Sequence, residues 1–311
     1  MRASTEGRAA GLLLGVALDA VFADPRRGHP VALFGRAAKA WERAVYADSR
    51  GRGVLYTSVL VGSVAAGGWA VERAVRGPVA RAGVTALATW AVLGGTSLGR
   101  EGRLMASHLE NGDLAAARGR LSYLCARDPA GLDADDLARA TTESVAENTS
   151  DAAIAPLLWG AVAGVPGLLA YRAVNTLDAM VGYRDERYER FGWASARLDD
   201  LANWVPARVT GLLTVACARG ARGEAWRVLR RDGAAHPSPN AGRCEAAFAG
   251  ALGVRLGGAN SYGGRVERRP ELGDGRGPEV RDIRRAVRLS AGVTVAAALV
   301  SAGVARALAR R

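Results

Sequence analysis

A chain of 311 residues has room for one large domain or two ordinary ones. Apolar residues make up 49%, and the net charge of +12 is carried almost wholly by arginine, because Lys39 is the only lysine. That single lysine sits in an ordinary amphipathic stretch, which argues against pyridoxal-phosphate chemistry, and the chain has no G-x-x-x-x-G-K-[ST] loop for a nucleotide. Cys125, Cys217 and Cys244 are odd in number and lack a C-x-x-C, so free thiols are expected rather than a disulfide framework or a zinc site. The excess positive charge favours anionic lipid surfaces and phosphorylated or carboxylated substrates. No basic helix with interleaved aromatics suggests nucleic acid.

Residues 1–23 have the flanks of a signal peptide, but Asp19 interrupts the apolar run. A retained membrane or interfacial helix over 10–23 is the better reading. Asp24-Pro25 ends it, and Asp24, His29 and Pro30 form a compact polar turn. Val31–Ala44 has helical apolar spacing with Arg36, Lys39 and Arg43 opposite, an amphipathic interfacial helix. Residues 54–71 and 82–99 are uncharged and near bilayer-spanning length, and read as a hairpin of membrane helices, with Gly67-Gly68 and Gly94-Gly95 allowing close contact. Residues 100–142 are polar and helical in pattern, with Asp133 and Asp135-Asp136 marking a helix start.

Residues 152–171 are uncharged but contain Pro156, Gly164 and Pro166, so a broken or re-entrant element fits better than a straight span. Val209–Ala218 is a shorter apolar stretch. The segment HPSPNAG from His236 reads as a tight turn leading into a helix from Glu245, and GGANSYGG from Gly257 as a flexible loop. A last apolar run, 289–305, reads as a membrane helix. The fold class expected is mainly α, a polytopic helical membrane protein with about four to five embedded segments, as one domain with a polar site region over 100–151 and 172–288.

Two polar clusters flank the 152–171 run. Glu143, Glu147 and Asp151 are four apart, so on a regular helix they share one face. Three adjacent carboxylates repel, and Mg²⁺ carrying bound phosphates is the expected occupant; a solvated acidic face is the alternative. Arg172, Asn175 and Asp178 also share a face, and Asp199 and Asn203 form an i, i+4 pair with Asp200 adjacent. Arginine suits bidentate contact with phosphate or carboxylate. Two classes fit: an enzyme on a phosphorylated or polyanionic substrate, or a non-enzymatic membrane sensor or transporter of a polyanion. Charged groups lie mainly outside the apolar runs, and no repeat symmetry is visible, which favours the enzyme.

The segments LD-x₄-DP-x₃-HP at Leu18–Pro30, ESVAENTSDAAIAPLLW, YRAVNTLDAMVGYRDERYERFGWASARLDDLANWVPAR, HPSPNAG and GGANSYGG together resemble the CobD/CbiB family of cobalamin biosynthesis. The resemblance implies an adenosylcobinamide-phosphate synthase in the cell membrane, with its active site facing the cytoplasm. Such an enzyme joins the corrinoid adenosylcobyric acid to aminopropanol phosphate or ethanolamine phosphate through an amide, using ATP. The expected partners are these substrates, the lipid bilayer and other membrane-associated corrin-pathway enzymes; ATP and Mg²⁺ are expected, and no bound prosthetic group. On residue type, Glu143, Glu147 and Asp151 are assigned to metal and nucleotide phosphates, and Arg172 and Arg184 to phosphate charge. Asp178, Asp199 or Asp200 would accept the amine proton, oriented by Asn175 and Asn203. His29, Asn240, Asn260 and Tyr262 are further substrate-binding candidates. Where relatives tend to read N-x-G-W-P-E after the turn, this chain has Asn240-Ala241-Gly242-Arg243-Cys244-Glu245. Arg243 and Cys244 are therefore not expected in the shared chemistry, while Asn240 and Glu245 remain candidates.

Overall fold

A computed structural model describes residues 2–25, 28–183, 185–262 and 265–310, with side chains at all of these except 2–6, 260–262 and 265–266. In chain order the helices are α1 (Arg2–Phe22), α2 (Pro30–Val45), α3 (Arg50–Ala74), α4 (Pro78–Val92), α5 (Gly95–Glu110), α6 (Leu114–Leu121) and α7 (Ala134–Thr149). A π turn at Ser150–Ile154 leads into α8 (Ala155–Val181), followed by α9 (Trp193–Ala202), α10 (Trp204–Cys217), α11 (Arg222–Asp232) and α12 (Ala241–Leu252). Strands β1 (Leu256–Tyr262) and β2 (Arg265–Leu272) precede the long α13 (Val280–Arg310). The chain is a mainly α polytopic membrane protein. By length and composition alone, four helical stretches are long and apolar enough to cross a bilayer: Arg50–Ala74, Val280–Arg310, and Pro78–Glu110 and Ala134–Val181, both of which are interrupted.

The chain divides into two compact units, residues 1–94, 155–203 and 297–311, and residues 95–154 and 204–296. In the first, α4 packs on α1 and α8, while α3 packs on α8 and α9, so the expected hairpin of 54–71 with 82–99 is not the principal pairing. The second run is also interrupted, since α4 ends at Val92 and α5 begins at Gly95. The tight glycine contact is in α1. A Cβ on Gly11 would come within 2.5 Å of Thr85, and Gly7 and Gly15 likewise meet Pro78 and Thr89 of α4. Glycines four apart let backbones approach without side chains between them. Gly68 does abut Pro166, at 3.2 Å, but Gly67 faces open space.

The broken segment is a helical hairpin. Gly164 has φ 66° and ψ −149°, a conformation open to glycine and strained for other residues. Beyond it the helix doubles back: a Cβ on Gly160 would lie 2.8 Å from Leu168, and one on Gly167 would collide with the Trp159 carbonyl. In a straight helix such i, i+8 pairs would be about 12 Å apart. The apolar part before the reversal, 152–163, is only about 18 Å long, against a hydrocarbon core of about 30 Å.

The second unit holds a core of α5, α6, α7, α12, the strands and the start of α13, around Met105, Leu121, Leu137, Phe248, Leu272 and Ile283. Asp133 caps α7 by accepting the Asp136 N–H at 2.9 Å, at the predicted start. Residues 257–262 of the GGANSYGG segment are not a loop, and Gly263 and Gly264 lie outside the described residues. Residues 257–262 belong to β1, which pairs antiparallel with β2, with Gly258 opposite Arg269, Asn260 opposite Glu267 and Tyr262 opposite Arg265. The helix after HPSPNAG starts at Ala241, four residues earlier than expected, because Ser238 Oγ accepts the N–H groups of Asn240 and Ala241.

Candidate functional site

In the first unit, α8 and α9 bring the expected acids and amides together. Asn203, the buried C-cap of α9, donates from Nδ2 to Asp199 Oδ2 at 3.0 Å and accepts the Tyr171 hydroxyl at 2.8 Å. Asn175 donates to the other Asp199 oxygen at 3.4 Å and accepts from Arg172 Nη1 at 3.5 Å. Burial and the negative charge of Asp178 push the Asp199 carboxyl up to about 7, with the Asn203 and Asn175 hydrogen bonds pulling the other way. A carboxylate poised there can take a proton at neutral pH and return it. Asp200 lies instead near Arg197, at 3.9 Å. Arg172 also borders a small apolar cavity of about 180 Å³ with Pro30, Val31 and Phe34. His29 has a local structural task. Its Nδ1 accepts the Val31 N–H at 3.2 Å, capping α2, while Nε2 faces Asp24 Oδ1 at 3.1 Å. Arg184 lies outside the described residues.

In the second unit, the three expected metal ligands do not converge. Among the described residues no group of three or more His, Cys, Asp or Glu is placed to hold a metal ion. Glu143 is already engaged: Oε2 accepts from Arg127 Nη2 at 2.5 Å, Oε1 accepts the Gly257 N–H at 2.7 Å, and Arg139 stands 3.6 Å away. The π turn at Ser150–Ile154 widens the helix, so Asp151 no longer follows the four-residue register of Glu143 and Glu147. Resident Mg²⁺ on this carboxylate face does not fit the donor set.

What forms there is a mixed cluster of acids and arginines. Glu147, on α7, feels the charges of Arg269, Glu143 and Arg127. Glu245, on α12, is 2% exposed, with its Oε1 3.9 Å from His236 Nε2. Burial, and then the charges of Glu143 and Glu147, hold the Glu245 carboxyl well above the usual range. His236 accepts the Ser238 N–H on Nδ1 at 3.0 Å and has Arg269 Nη1 3.3 Å from Nε2; burial and Arg269 push it down to about 4, so it is neutral at pH 7. Asn240 is buried at the N-cap of α12. The side chains of Asn260 and Tyr262 lie outside the described residues. Arg127, Arg139 and Arg269 were not singled out from the sequence. Arg139 had a readable signal, four residues before Glu143; Arg269 had none, because it reaches His236 only through the strand register.

The family model described as CobD/Cbib protein matches residues 12–290. The chain belongs to the CobD/CbiB family. Relatives named cobalamin biosynthesis protein CobD include one from Mycobacterium tuberculosis, 56% identical over 305 residues and covering 97% of both chains. Another, from Geobacter metallireducens, is 48% identical over 85% of this chain and 86% of its own. One from Rhodobacter capsulatus is 42% identical over 94% and 97%. No solved structure matches this CobD/CbiB chain.

Proposed function

We propose that this protein is an adenosylcobinamide-phosphate synthase, forming the amide between adenosylcobyric acid and aminopropanol phosphate or ethanolamine phosphate at the expense of ATP. Membership of a cobalamin-biosynthesis family supplies the pathway. The observation that carries the chemistry is Asp199, held near neutrality beside Asp178 and oriented by Asn175 and Asn203.

An amino alcohol phosphate reaches the enzyme as an ammonium ion, which has no lone pair to attack with. Asp199 takes one of its protons. The corrin side-chain carboxylate is a poor electrophile, so transfer of the ATP γ-phosphoryl group to it gives an acyl phosphate and ADP. The amine nitrogen then forms the C–N bond, the C–O bond to phosphate breaks, and inorganic phosphate leaves with the second proton lost by the nitrogen. Arg172, and in the second unit Arg127, Arg139 and Arg269, are the cations suited to phosphate groups. Mg²⁺ is expected only as the companion of the nucleotide. ATP places the reaction on the cytoplasmic face of the cell membrane, in reach of other corrin-pathway enzymes.

The test is an assay of purified protein in membranes with adenosylcobyric acid, ATP-Mg²⁺ and each amino alcohol phosphate in turn, read by product mass. Product with stoichiometric ADP is expected. Amide formation that proceeds equally well without nucleotide would overturn the reading.

A further inference from the structure

In the second unit, Arg219, Arg222 and Arg288 line one cavity of about 620 Å³. Its other walls are small or apolar, with Ala216 and Cys217 from the end of α10 and Leu289 from α13, and among the described residues no acid lines it. Several other arginines of the same unit are paired: Arg227 and Arg231 share Asp274, and Arg284 grips Glu110. No ion pair engages Arg219, Arg222 or Arg288 among the described residues; Arg222 Nε donates only to the Ala216 carbonyl, at 3.1 Å. Three arginines around one cavity carry like charge, and an anion between them relieves that repulsion.

The position of the cavity says which anion. Arg288 immediately precedes the uncharged run of α13, and Arg219 and Arg222 follow the apolar α10. Val205 and Leu212 of α10 and Val295 of α13 are exposed, an apolar surface suited to lipid. On α11, Trp226 is exposed with the Arg230 guanidinium 5.7 Å from its ring centre, a side-chain pair typical of the membrane–water boundary. Charge above and apolar helix below match a lipid headgroup with its acyl chains attached. We propose that this cavity binds the phosphodiester headgroup of an anionic phospholipid, whose chains lie along α10 and α13.

The test uses the purified full chain in detergent, titrated with dioleoyl phosphatidylglycerol, with dioleoyl phosphatidylcholine, or with inorganic phosphate, and read by native mass spectrometry and thermal shift. Phosphatidylglycerol should bind more tightly than phosphatidylcholine. The triple variant Arg219→Gln, Arg222→Gln, Arg288→Gln should weaken phosphatidylglycerol binding roughly a hundredfold, since each arginine near an anionic surface is worth about a factor of five. An equal loss of charge at Arg255, Arg268 and Arg281 should leave binding unchanged. If the triple variant fails to fold, Arg288→Gln alone should show about a fivefold loss. Equal affinity for the two lipids, or pocket variants that bind like the control, overturns the proposal. Displacement of phosphatidylglycerol by submillimolar inorganic phosphate also overturns it, because the cavity would then serve a soluble phosphate. None of these readouts depends on turnover.

Discussion

Arg8 and Glu72 pair at 3.2 Å, and the same guanidinium donates to the carbonyl oxygens of Ala161 and Val162. Those carbonyls end the first limb of the α8 hairpin, where helix geometry leaves acceptors without partners. In an apolar medium such acceptors must be satisfied from within the protein. Arg8 does so, and Glu72 neutralises it. A Cβ on Gly164 would sit 2.6 Å from the Glu72 carboxylate. Glu72→Ala should therefore lower stability in detergent by about 1 to 3 kcal/mol, the cost of leaving a part-buried charged group without its counter-ion. Gly164→Ala should also be destabilising, through strain at positive φ and collision with the pair. Thermal unfolding of both variants, monitored by circular dichroism, checks this.

The hairpin itself is open to a direct test. In a background without Cys125, Cys217 and Cys244, the pair Gly160→Cys and Leu168→Cys should form a disulfide readily under mild oxidation. A continuous helix would hold these positions about 12 Å apart, beyond the reach of a disulfide. Absence of the cross-link, scored by mass spectrometry of the peptide, would refute the reversal.

Asp199 gives a pH signature. As a base it must be ionised, so turnover should rise with pH through about 7. Asp178 holds its carboxyl up, so Asp178→Asn should shift the rising limb to lower pH; Asn203 pulls it down, so Asn203→Ala should shift the limb upward. A limb that ignores both substitutions removes Asp199 from the reaction. Stability follows the same group. Between the ordinary carboxylate range and about pH 7, the folded chain keeps a proton that the unfolded chain has lost. Its contribution is thus present at low pH and lost as pH rises through about 7. The melting temperature of Asp199→Asn, against the parent, should show a smaller decline over that window.

Glu143 and Glu147 should separate stability from activity. The Arg127–Glu143 pair is buried, so Glu143→Ala should destabilise by about 3 to 5 kcal/mol. Arg127→Met combined with Glu143→Leu should recover part of that loss, because no charge is then stranded. Glu147 is partly exposed, and Glu147→Gln should leave the melting temperature nearly unchanged. Its removal unbalances the arginines assigned to phosphate, and turnover should fall at least about a hundredfold, or roughly 2.7 kcal/mol. Asp136→Asn, at the start of α7 beside Arg139, should change turnover far less. Steady-state kinetics and calorimetry on the same preparations distinguish these outcomes.

The sequence by itself determined what is local. Asp133 starts α7 because a cap acts within three residues. Gly164 and Pro166 mark the break because backbone geometry is set residue by residue. The uncharged runs mark the membrane helices because burial in lipid depends on composition over one turn after another. The acids and amides at 175, 178, 199 and 203 announced themselves by helical spacing. Tertiary structure decided who meets whom. Glycines at 7, 11 and 15 show that α1 is closely approached, but only packing names α4 as the neighbour. The Glu143 face looked like a cation site because spacing reports acids on the same helix. It does not report Arg127 from the preceding loop or the Gly257 N–H, 114 residues on, which take up that carboxylate. Asp199 likewise owes its position near neutrality to burial and to Asp178 on another helix. Coulomb energy and desolvation depend on distances through space, and the order of residues along a chain does not contain those distances until it has folded.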